Sequence, residues 1–481
     1  MVTTHPNPVQ APEELRERAK SGSEVAHQNR SLYQINTRVS LRDLSQKLGR
    51  PATLDDFPDA ELDRLADMGF DWLWFLGVWQ TGAAARKISR DNPEWLAEFR
   101  QVLPDLQPDD ITGSTFAITS YITHSDFGGD AALERLRRRI NQRGMRLVLD
   151  FVPNHTAPDH PWVKQHPEFY VPGNEDKLQR EPQNYVRLDG RVLAYGRDPY
   201  FPGWPDTIQL NYAEPGLQEA MRRELQSVAA RCDGVRCDMA MLILPDVFKR
   251  TWGLEMQPFW PRTLGSIHSR RPDFLFMAEV YWDLEWTLQQ QGFDFTYDKR
   301  LYDRLRDQHA RPVREHFFAD RDFQEKSARF LENHDEPRAA ATFPPGVHRA
   351  AAILTFLCPG LRFFHDGQFE GRTKKISPHL GRRPAEAVDT ALRDFYSRLT
   401  NCVHLDETRE GEWRLLEVLL SDRGRVFSRD ELFNEVWGPR GNGAYEYVGV
   451  HIAALRRKIE TDHAHPSHLL THTNHGYQFR E

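Results

Sequence analysis

The segment GVRCDMA at residues 234–240 places Arg236 and Asp238 two positions apart, on one face of a short apolar strand. Two more carboxylates follow apolar runs of the same kind. FMAEV at 276–280 carries Glu279, and ENHDEP at 332–337 carries Asp335. Carboxylates at the ends of neighbouring strands are the groups that acid–nucleophile chemistry on a sugar requires. The sequence therefore predicts an enzyme that acts on glycosidic bonds.

Short apolar runs recur along residues 31–410, and helical segments lie between several of them. Each run is continuously apolar, as expected for parallel strands that are buried on both faces. The pattern predicts an α/β fold, a (β/α)8 TIM barrel, with the doubly wound sheet as the alternative. The predicted strands are residues 32–36, 72–76, 147–152, 235–239, 274–280, 293–297, 328–332 and 361–364, and the predicted helices are 60–68, 131–143, 217–230 and 350–357.

One segment interrupts this alternation for about fifty residues. Residues 156–206 follow the third strand directly and are rich in Pro, His, Tyr and Asp. We expect them to form an inserted subdomain that walls one side of the cleft. Residues 1–30 are polar, and we expect a flexible N-terminal segment there.

Composition limits the classes of partner. The net charge of −7 argues against binding of nucleic acid or of an anionic membrane over most of the surface. No apolar run approaches the length of a membrane span, and the N-terminus has no signal-like apolar region. The four cysteines form no CxxC pair, which favours buried, reduced thiols and a cytoplasmic protein.

The carboxylates have distinct predicted roles. At the carboxyl ends of barrel strands, side chains converge on one mouth. Arg236 favours the charged form of Asp238, so Asp238 is expected to stay ionised, as a nucleophile must. Glu279 lies between Ala278 and Val280, which favours a raised pKa and a role as general acid and then base.

The remaining polar groups are expected to hold the sugar. Asp335, beside His334, could bind hydroxyls and stabilise positive charge at the reacting carbon. His155, in DFVPNH at 150–155, and His334 would donate hydrogen bonds to hydroxyls. A single Asp at a strand end is more often a helix cap or a loop residue, so the prediction depends on all four motifs occurring in order.

Residues 31 to about 410 resemble the α-amylase family of glycoside hydrolases and transglycosylases, because DFVPNH, GVRCDMA, FMAEV and ENHD resemble its four sequence regions. The resemblance implies a retaining glycosidase that acts on an α-glucan or α-glucoside and requires no cofactor. It leaves hydrolysis and transfer both open. The implied catalytic residues are Asp238, Glu279 and Asp335, and the implied substrate contacts are Arg236, His155 and His334.

The same resemblance implies two further features. An aromatic stacking platform maps to Phe116, with Tyr121 nearby. Some family members bind calcium through the Asn of the first region, which is Asn154 here. Calcium takes several oxygen ligands, and no others are identifiable in this sequence.

The C-terminal residues have a different character. Residues 413–481 resemble the winged-helix DNA-binding domain of OmpR/PhoB-type response regulators, a small α+β module, truncated here because its leading β-sheet is missing. Residues 447–460 resemble its recognition helix and residues 472–479 its wing hairpin. Nine Lys/Arg balance nine Asp/Glu over 413–481, so the positive charge of a duplex binder is lacking. Arg456, Arg457 and Lys458 could contact phosphate, although a solvated charged face is the favoured interpretation.

The change of character near residues 414–417 suggests a fusion of two parent sequences. Such a barrel would lack the β-sandwich that usually follows it, which could leave apolar surface near residues 392–403 exposed or covered by the fragment. Three functional hypotheses remain. The first is an α-glucoside enzyme with an appended fragment, and the second is a sugar-responsive transcription regulator that binds DNA. The third is a chimaera that folds poorly and does neither.

Overall fold

A computed structural model of the chain describes residues 30–403, 412–437, 446–473 and 475–480. The expected flexible segment, residues 1–30, lies outside this part of the chain apart from Arg30. Residues 404–411, just before the change of character near residues 414–417, also lie outside it.

The strands in chain order are β1 (Ser31–Asn36), β2 (Trp72–Leu76), β3 (Trp79–Thr81), β4 (Ile118–Thr123), β5 (Arg146–Phe151), β6 (His155–Thr156), β7 (Tyr185–Leu188), β8 (Arg191–Ala194), β9 (Ile208–Gln209), β10 (Gly234–Cys237), β11 (Leu275–Ala278), β12 (Phe295–Tyr297), β13 (Ser327–Arg329), β14 (Leu361–His365), β15 (Leu469–His472) and β16 (Gly476–Phe479).

The helices are α1 (Thr37–Leu48), α2 (Asp59–Asp67), α3 (Ala83–Asp91), α4 (Pro93–Val102), α5 (Gly129–Asn141), α6 (Trp162–Gln165), α7 (Glu175–Arg180), α8 (Pro215–Arg231), α9 (Pro245–Trp252), α10 (Trp260–His268), α11 (Glu285–Gln290), α12 (Lys299–Arg306), α13 (Ala310–His316), α14 (Arg321–Glu325), α15 (Ala339–Thr342), α16 (Pro345–Leu357), α17 (Thr390–Val403), α18 (Glu412–Ser421), α19 (Arg429–Trp437) and α20 (Glu446–Ile459).

Eight parallel strands close into a barrel in the order β1-β2-β5-β10-β11-β12-β13-β14, and β14 pairs back onto β1. The predicted barrel is confirmed, and the doubly wound alternative is wrong. All eight predicted strands occur, with ends that differ by up to three residues. Their side chains are buried on both faces, which is why each strand reads as an unbroken apolar run.

Two inserted segments lie at the mouth of the barrel. After β5, short antiparallel pairs β6–β9 and β7–β8 build the inserted region that the sequence predicts. After β3, helices α3 and α4 form a second insertion that the sequence analysis did not anticipate. Phe99 and Ile111 of this insertion share a small apolar core with Leu380, from the loop that follows β14.

The chain divides into two compact units between Phe395 and Tyr396, inside α17. The C-terminal unit has its own apolar core from three helices and the hairpin β15–β16. Phe427 pairs with Tyr477 beside that hairpin, and Ser428 caps α19 by exchanging hydrogen bonds with Glu431. Among the described residues, no helix combines the length and apolar character that crossing a bilayer requires.

Candidate active site

The guanidinium of Arg236 organises the carboxyl ends of β10 and β11. Arg236 is fully buried, and its two terminal nitrogens donate to different carboxylates. Nη1 donates to Oδ1 of Asp238 at 2.7 Å, and Nη2 donates to Oε2 of Glu279 at 2.6 Å. The rings of Trp74 and Phe116 lie 5.4 and 5.2 Å from the guanidinium carbon. One side chain therefore holds both carboxylates side by side in a water-poor environment.

Asp238 and Glu279 both have raised pKa values because they are buried. The sequence analysis expected Arg236 to keep Asp238 ionised. The guanidinium acts in that direction, but desolvation outweighs it, and the pKa of Asp238 is raised. Desolvation raises the pKa of Glu279 to about 7, against the opposing effect of Arg236. A carboxyl with this pKa can exchange a proton near neutral pH, as a general acid must.

The two oxygens of Glu279 have different environments. Oε2 accepts from Arg236 and from the backbone N–H of Met239 at 2.7 Å. Oε1 accepts from the hydroxyl of Tyr281 at 2.8 Å. Because Oε2 faces two N–H donors, a proton carried by Glu279 belongs on Oε1. Met239 adopts a left-handed backbone (φ 43°), and this conformation accompanies its N–H contact with Glu279.

Asp335 is the most accessible carboxylate of the group. Its side chain is 36% exposed, and its Oδ2 lies 4.0 Å from Nη2 of Arg236. Burial would raise its pKa, but His334, whose Nε2 lies 3.0 Å from Oδ2, holds the pKa well below its usual range. Gln34 donates to Nδ1 of His334 at 2.8 Å, which places the ring proton on Nε2, towards Asp335. Asp335 is thus a charged group at the mouth.

His155 and Phe116 line the same cavity as the three carboxylates. Burial lowers the pKa of His155 to about 3, so its ring is neutral at neutral pH. The ring of Trp204, from the inserted region, lies 5.4 Å away and edge-on. Phe116 is partly exposed, and its ring lies 5.4 Å from that of His334. Both residues are placed where a sugar ring at the carboxylates could contact them.

The structure does not bring Tyr121 to this cavity. Its hydroxyl donates to the carbonyl of Val152 and accepts from the N–H of Val152, both at 3.0 Å. The ring stacks on Phe151, and the residue lines a neighbouring cavity instead. The expected substrate contact by Tyr121 is therefore corrected to a structural one, because the backbone uses its polar atom.

Asn154 does not offer a calcium site. Gln209 donates from Nε2 to Oδ1 and to the carbonyl of Asn154 at 2.9 and 3.0 Å, and it accepts from Nδ2 of Asn154 at 3.2 Å. Each amide thus satisfies the other, and no carboxylate takes part. Calcium prefers six to eight oxygen ligands with carboxylates among them. Among the described residues, no cluster of three or more His, Cys, Asp or Glu could hold a metal ion.

The cavity at the carboxylates has a volume of about 300 Å³. Several of its lining residues escaped the sequence analysis, although Tyr281 could have been found because it follows Glu279 by two positions, on the same face. The others come from distant segments with no motif of their own. They are Trp95, Trp204, Asp206 and His379.

The C-terminal unit contains the predicted recognition helix, α20. Arg456, one of the expected phosphate contacts, donates to the carbonyl of Leu469 at 2.8 and 2.7 Å and to the hydroxyl of Thr471 at 2.7 Å. Arg456 therefore ties α20 to the hairpin β15–β16. Arg457 is exposed, whereas the side chain of Lys458 and residue Asn474 of the wing lie outside the described part.

A closed (β/α)8 barrel with a cluster of carboxylates at its strand ends defines the class of barrel enzymes with an acidic active site. The family model "Alpha amylase, catalytic domain" matches residues 60–411, and the chain belongs to this family. Alpha-amylase 3 of Dictyoglomus thermophilum is 22% identical over 292 residues, which cover 56% of each protein. The crystal structure of the noncanonic maltogenic alpha-amylase AmyB from Thermotoga neapolitana matches with a TM-score of 0.57, at 20% identity, over 80% of this chain and 78% of that one.

A second family model, "Transcriptional regulatory protein, C terminal", matches residues 406–479. The transcriptional regulatory protein KdpE of Mycobacterium tuberculosis is 48% identical over 77 residues, which cover 16% of this chain and 33% of KdpE. The chain thus spans about half the length of the curated amylase and a third of the curated regulator. Both family resemblances seen in the sequence are confirmed.

Proposed function

We propose that the barrel cleaves α-glucosidic bonds with retention of configuration, through a covalent glycosyl–enzyme intermediate on Asp238. The observation that carries this proposal is the shared guanidinium of Arg236, which holds Asp238 and Glu279 side by side. Retaining enzymes need their two carboxyl groups about 5–5.5 Å apart, closer than inverting enzymes do. Two carboxylates bonded to one guanidinium are close neighbours, and this closeness supports retention.

The first step forms an ester and breaks the glycosidic bond. A carboxylate oxygen of Asp238 attacks the anomeric carbon, while the proton on Oε1 of Glu279 passes to the leaving oxygen. The departing alcohol is then neutral, Glu279 is ionised and the sugar is bound to Asp238. Asp335 stabilises the positive charge that develops on the ring, since its low pKa keeps it charged.

The second step reverses this proton transfer. Ionised Glu279 accepts a proton from water or from an acceptor hydroxyl, whose oxygen attacks the anomeric carbon and releases Asp238. Water gives hydrolysis, and a sugar hydroxyl gives transfer. His334 is buried, and its Nε2 lies 3.0 Å from Oδ2 of Asp335, so its role in this mechanism is to position that carboxylate.

Trapping of the intermediate tests the proposal. Glu279→Gln is incubated with an α-glucosyl fluoride, whose leaving group needs no protonation, and the digested protein is analysed by mass spectrometry. We expect one glucosyl unit on the peptide that contains Asp238. The double variant Asp238→Asn/Glu279→Gln is the matched control and should carry none. Glucose released with inverted configuration by the unmodified enzyme, or a label on another peptide, would contradict the proposal.

Substrate range needs a separate measurement. We propose an α-glucan or α-glucoside as the substrate, supported by the family match and by the carboxylate geometry. Incubation with maltose, sucrose, trehalose and maltooligosaccharides, with chromatographic separation of the products, would assign the bond. The ratio of free to transferred glucosyl units would separate hydrolysis from transfer.

We also propose a reducing, cytoplasmic environment. Cys232 and Cys237 are buried thiols. Burial raises the pKa of Cys232 to about 12, which makes its thiol unreactive. The test exports the protein to an oxidising compartment and then measures its activity and its disulfides by mass spectrometry. Full activity together with disulfide formation would contradict this placement.

A sugar-responsive regulator is the second candidate function, favoured by the match of residues 406–479 to regulator C-terminal domains. Balanced charge and the structural use of Arg456 weigh against tight duplex binding. A gel-shift titration with random duplex DNA at two salt concentrations decides between the candidates. A salt-dependent DNA shift that Arg457→Ala weakens would support the regulator. No DNA shift at physiological salt would leave the glycosidase as the only supported candidate.

A further inference from the structure

His379 joins three segments that surround the cavity. It lies in the loop after β14, and its ring is 4.5 Å from the ring of Trp95 on α4. Its Nδ1 lies 2.8 Å from the hydroxyl of Ser89 on α3 and 4.0 Å from Oδ2 of Asp206 in the inserted region. The loop after β14 and both insertions therefore meet at one residue.

The backbone fixes this meeting point. The N–H of Thr112 donates to the carbonyl of His379 at 2.9 Å, and the N–H of Gly381 donates to the carbonyl of Asp110 at 2.8 Å. Arg382 adds hydrogen bonds to the carboxylates of Asp110 and Asp105. Backbone and side-chain hydrogen bonds therefore join the loop after β14 to the first insertion.

Asp206 presents an unused carboxylate oxygen at this wall. Asp206 is 3% exposed, and among the described residues its Oδ2 has no hydrogen-bond partner. It lies in a tight turn in which the N–H of Thr207 donates to the carbonyl of Trp204 at 3.0 Å. A buried carboxylate oxygen without a donor costs free energy unless a ligand supplies that donor.

The neighbouring histidine does not neutralise Asp206. Burial lowers the pKa of His379 to about 4, so its ring is uncharged near neutral pH. Burial raises the pKa of Asp206 to about 7. A sugar hydroxyl that donates to Oδ2 would stabilise the charged form and satisfy the group.

The size of the cavity fits a small ligand. Its volume of about 300 Å³ is at the lower end of the range of about 300–1,000 Å³ for ligand sites. Asp238, Glu279, Asp335 and Asp206 all line this one cavity. A wall of Trp95, His379 and Asp206 on one side of the cavity would stop a long glucan on that side.

We propose that Asp206 and His379 close the cavity beyond the reacting sugar, so that the protein selects the terminal glucosyl unit of a short α-glucoside and Asp206 accepts hydrogen bonds from its hydroxyls. This inference rests on the proposed function, since it uses the same cavity. It adds an exo mode of action and a specificity-determining residue.

The first test compares maltotriose with a free and with an ethylidene-blocked non-reducing end. We expect the free trisaccharide to be cleaved and the blocked one to react at least about tenfold more slowly, the effect of losing one hydrogen bond to a charged group. Equal rates would overturn the inference and leave the proposed function intact. Trp95→Ala/His379→Ala opens the wall and should raise the rate on the blocked substrate.

The second test isolates Asp206 by a split between KM and kcat. Asp206→Asn and Asp206→Leu should raise KM for maltotriose about tenfold or more, with a smaller change in kcat. Asp198→Asn is the matched control, because Asp198 is a buried aspartate of the same inserted region that accepts from the backbone of Tyr200 and Phe201. Unchanged KM in both Asp206 variants would overturn the role of Asp206.

A binding measurement separates this inference from the proposed function. Calorimetric titration of glucose into Glu279→Gln, with and without Asp206→Leu, needs no turnover. Loss of glucose binding in the double variant supports the inference even if no substrate is cleaved, in which case only the proposed function fails. Equal glucose affinity in both proteins would contradict the inference even in an active enzyme.

Discussion

The barrel and the C-terminal unit both bury acidic groups, but they use them differently. At the barrel mouth, Asp238 and Glu279 are held mainly by one guanidinium, and they face a cavity. In the C-terminal unit, Glu460 accepts from the backbone N–H groups of His468 and Leu469 at the start of β15. Those bonds lower the pKa of Glu460 to about 2, despite its partial burial. Burial of a charge therefore does not identify a functional group, whereas its partners and the space in front of it do.

The largest test of this comparison removes the two cavity-facing carboxylates. Asp238→Asn and Glu279→Gln should each lower kcat on a natural glucoside by about a thousandfold or more, because each removes a group that forms or breaks a bond. Steady-state kinetics measures the loss. Circular dichroism should report an unchanged fold. Near-normal activity in either variant would remove the assigned roles.

A second buried aspartate of the barrel should respond in the opposite way. Asp298 follows β12 and accepts from His316 at 2.9 Å and from Arg329 at 3.1 Å, away from the cavity. Asp298→Asn breaks a buried charge network and should lower the free energy of unfolding by about 3–5 kcal/mol. The kcat of the folded fraction should stay unchanged. Denaturant titration measures the stability. A loss of kcat in Asp298→Asn without a loss of stability would show that Asp298, like Asp238, serves catalysis.

The barrel was predictable because its signal is local. Each parallel strand reads as an apolar run, and the charged residues of its motif follow within a few positions, as Glu279 follows β11. The wall of the cavity was not predictable, since Trp95, Asp206 and His379 come from three segments far apart in the chain. No motif or periodicity within the sequence connects such residues. The roles of Tyr121 and Asn154 depended on whether a backbone group or a neighbouring amide already used their polar atoms, which only the packed structure reveals.

The C-terminal unit can be perturbed without touching the cavity. Gly476 has φ 130°, and a Cβ at this position would lie 1.8 Å from the carbonyl oxygen of Phe427. Gly476→Ala should therefore destabilise this unit by roughly 3 kcal/mol or more. Gly424→Ala is the matched control, because Gly424 also has a positive φ (87°) but nothing within 4 Å, so about 1 kcal/mol is expected.

Hydrogen–deuterium exchange of peptides from residues 446–480, measured by mass spectrometry over a temperature series, would report on this unit. Activity at low temperature should be unchanged in both glycine variants, because no described residue of this unit lines the catalytic cavity. Equal destabilisation by the two substitutions would mean that the backbone clash at Gly476 is absent. Loss of activity would mean that the unit supports the barrel.

The pH dependence gives a smaller but specific effect. Glu279 must be protonated to act as an acid, and burial raises its pKa to about 7. kcat/KM should therefore fall as pH rises through about 7, by about tenfold per unit well above it. A pH–rate profile measures this fall in kcat/KM. A fall whose midpoint lies near the ordinary pKa of a glutamate would contradict the role of burial.

The smallest expected effect concerns calcium. Because the amides of Asn154 and Gln209 satisfy each other, EDTA should leave both the melting temperature and the activity unchanged. Gln209→Glu sharpens the test. It replaces the amide donor by a carboxylate, so the carbonyl and Oδ1 of Asn154 lose their donor and face a negative charge. This variant should melt at a lower temperature, and added calcium should recover part of the loss by bridging those oxygens. A melting temperature of the unmodified protein that falls in EDTA would show that a metal, and not the amide pair, holds β9 beside β6.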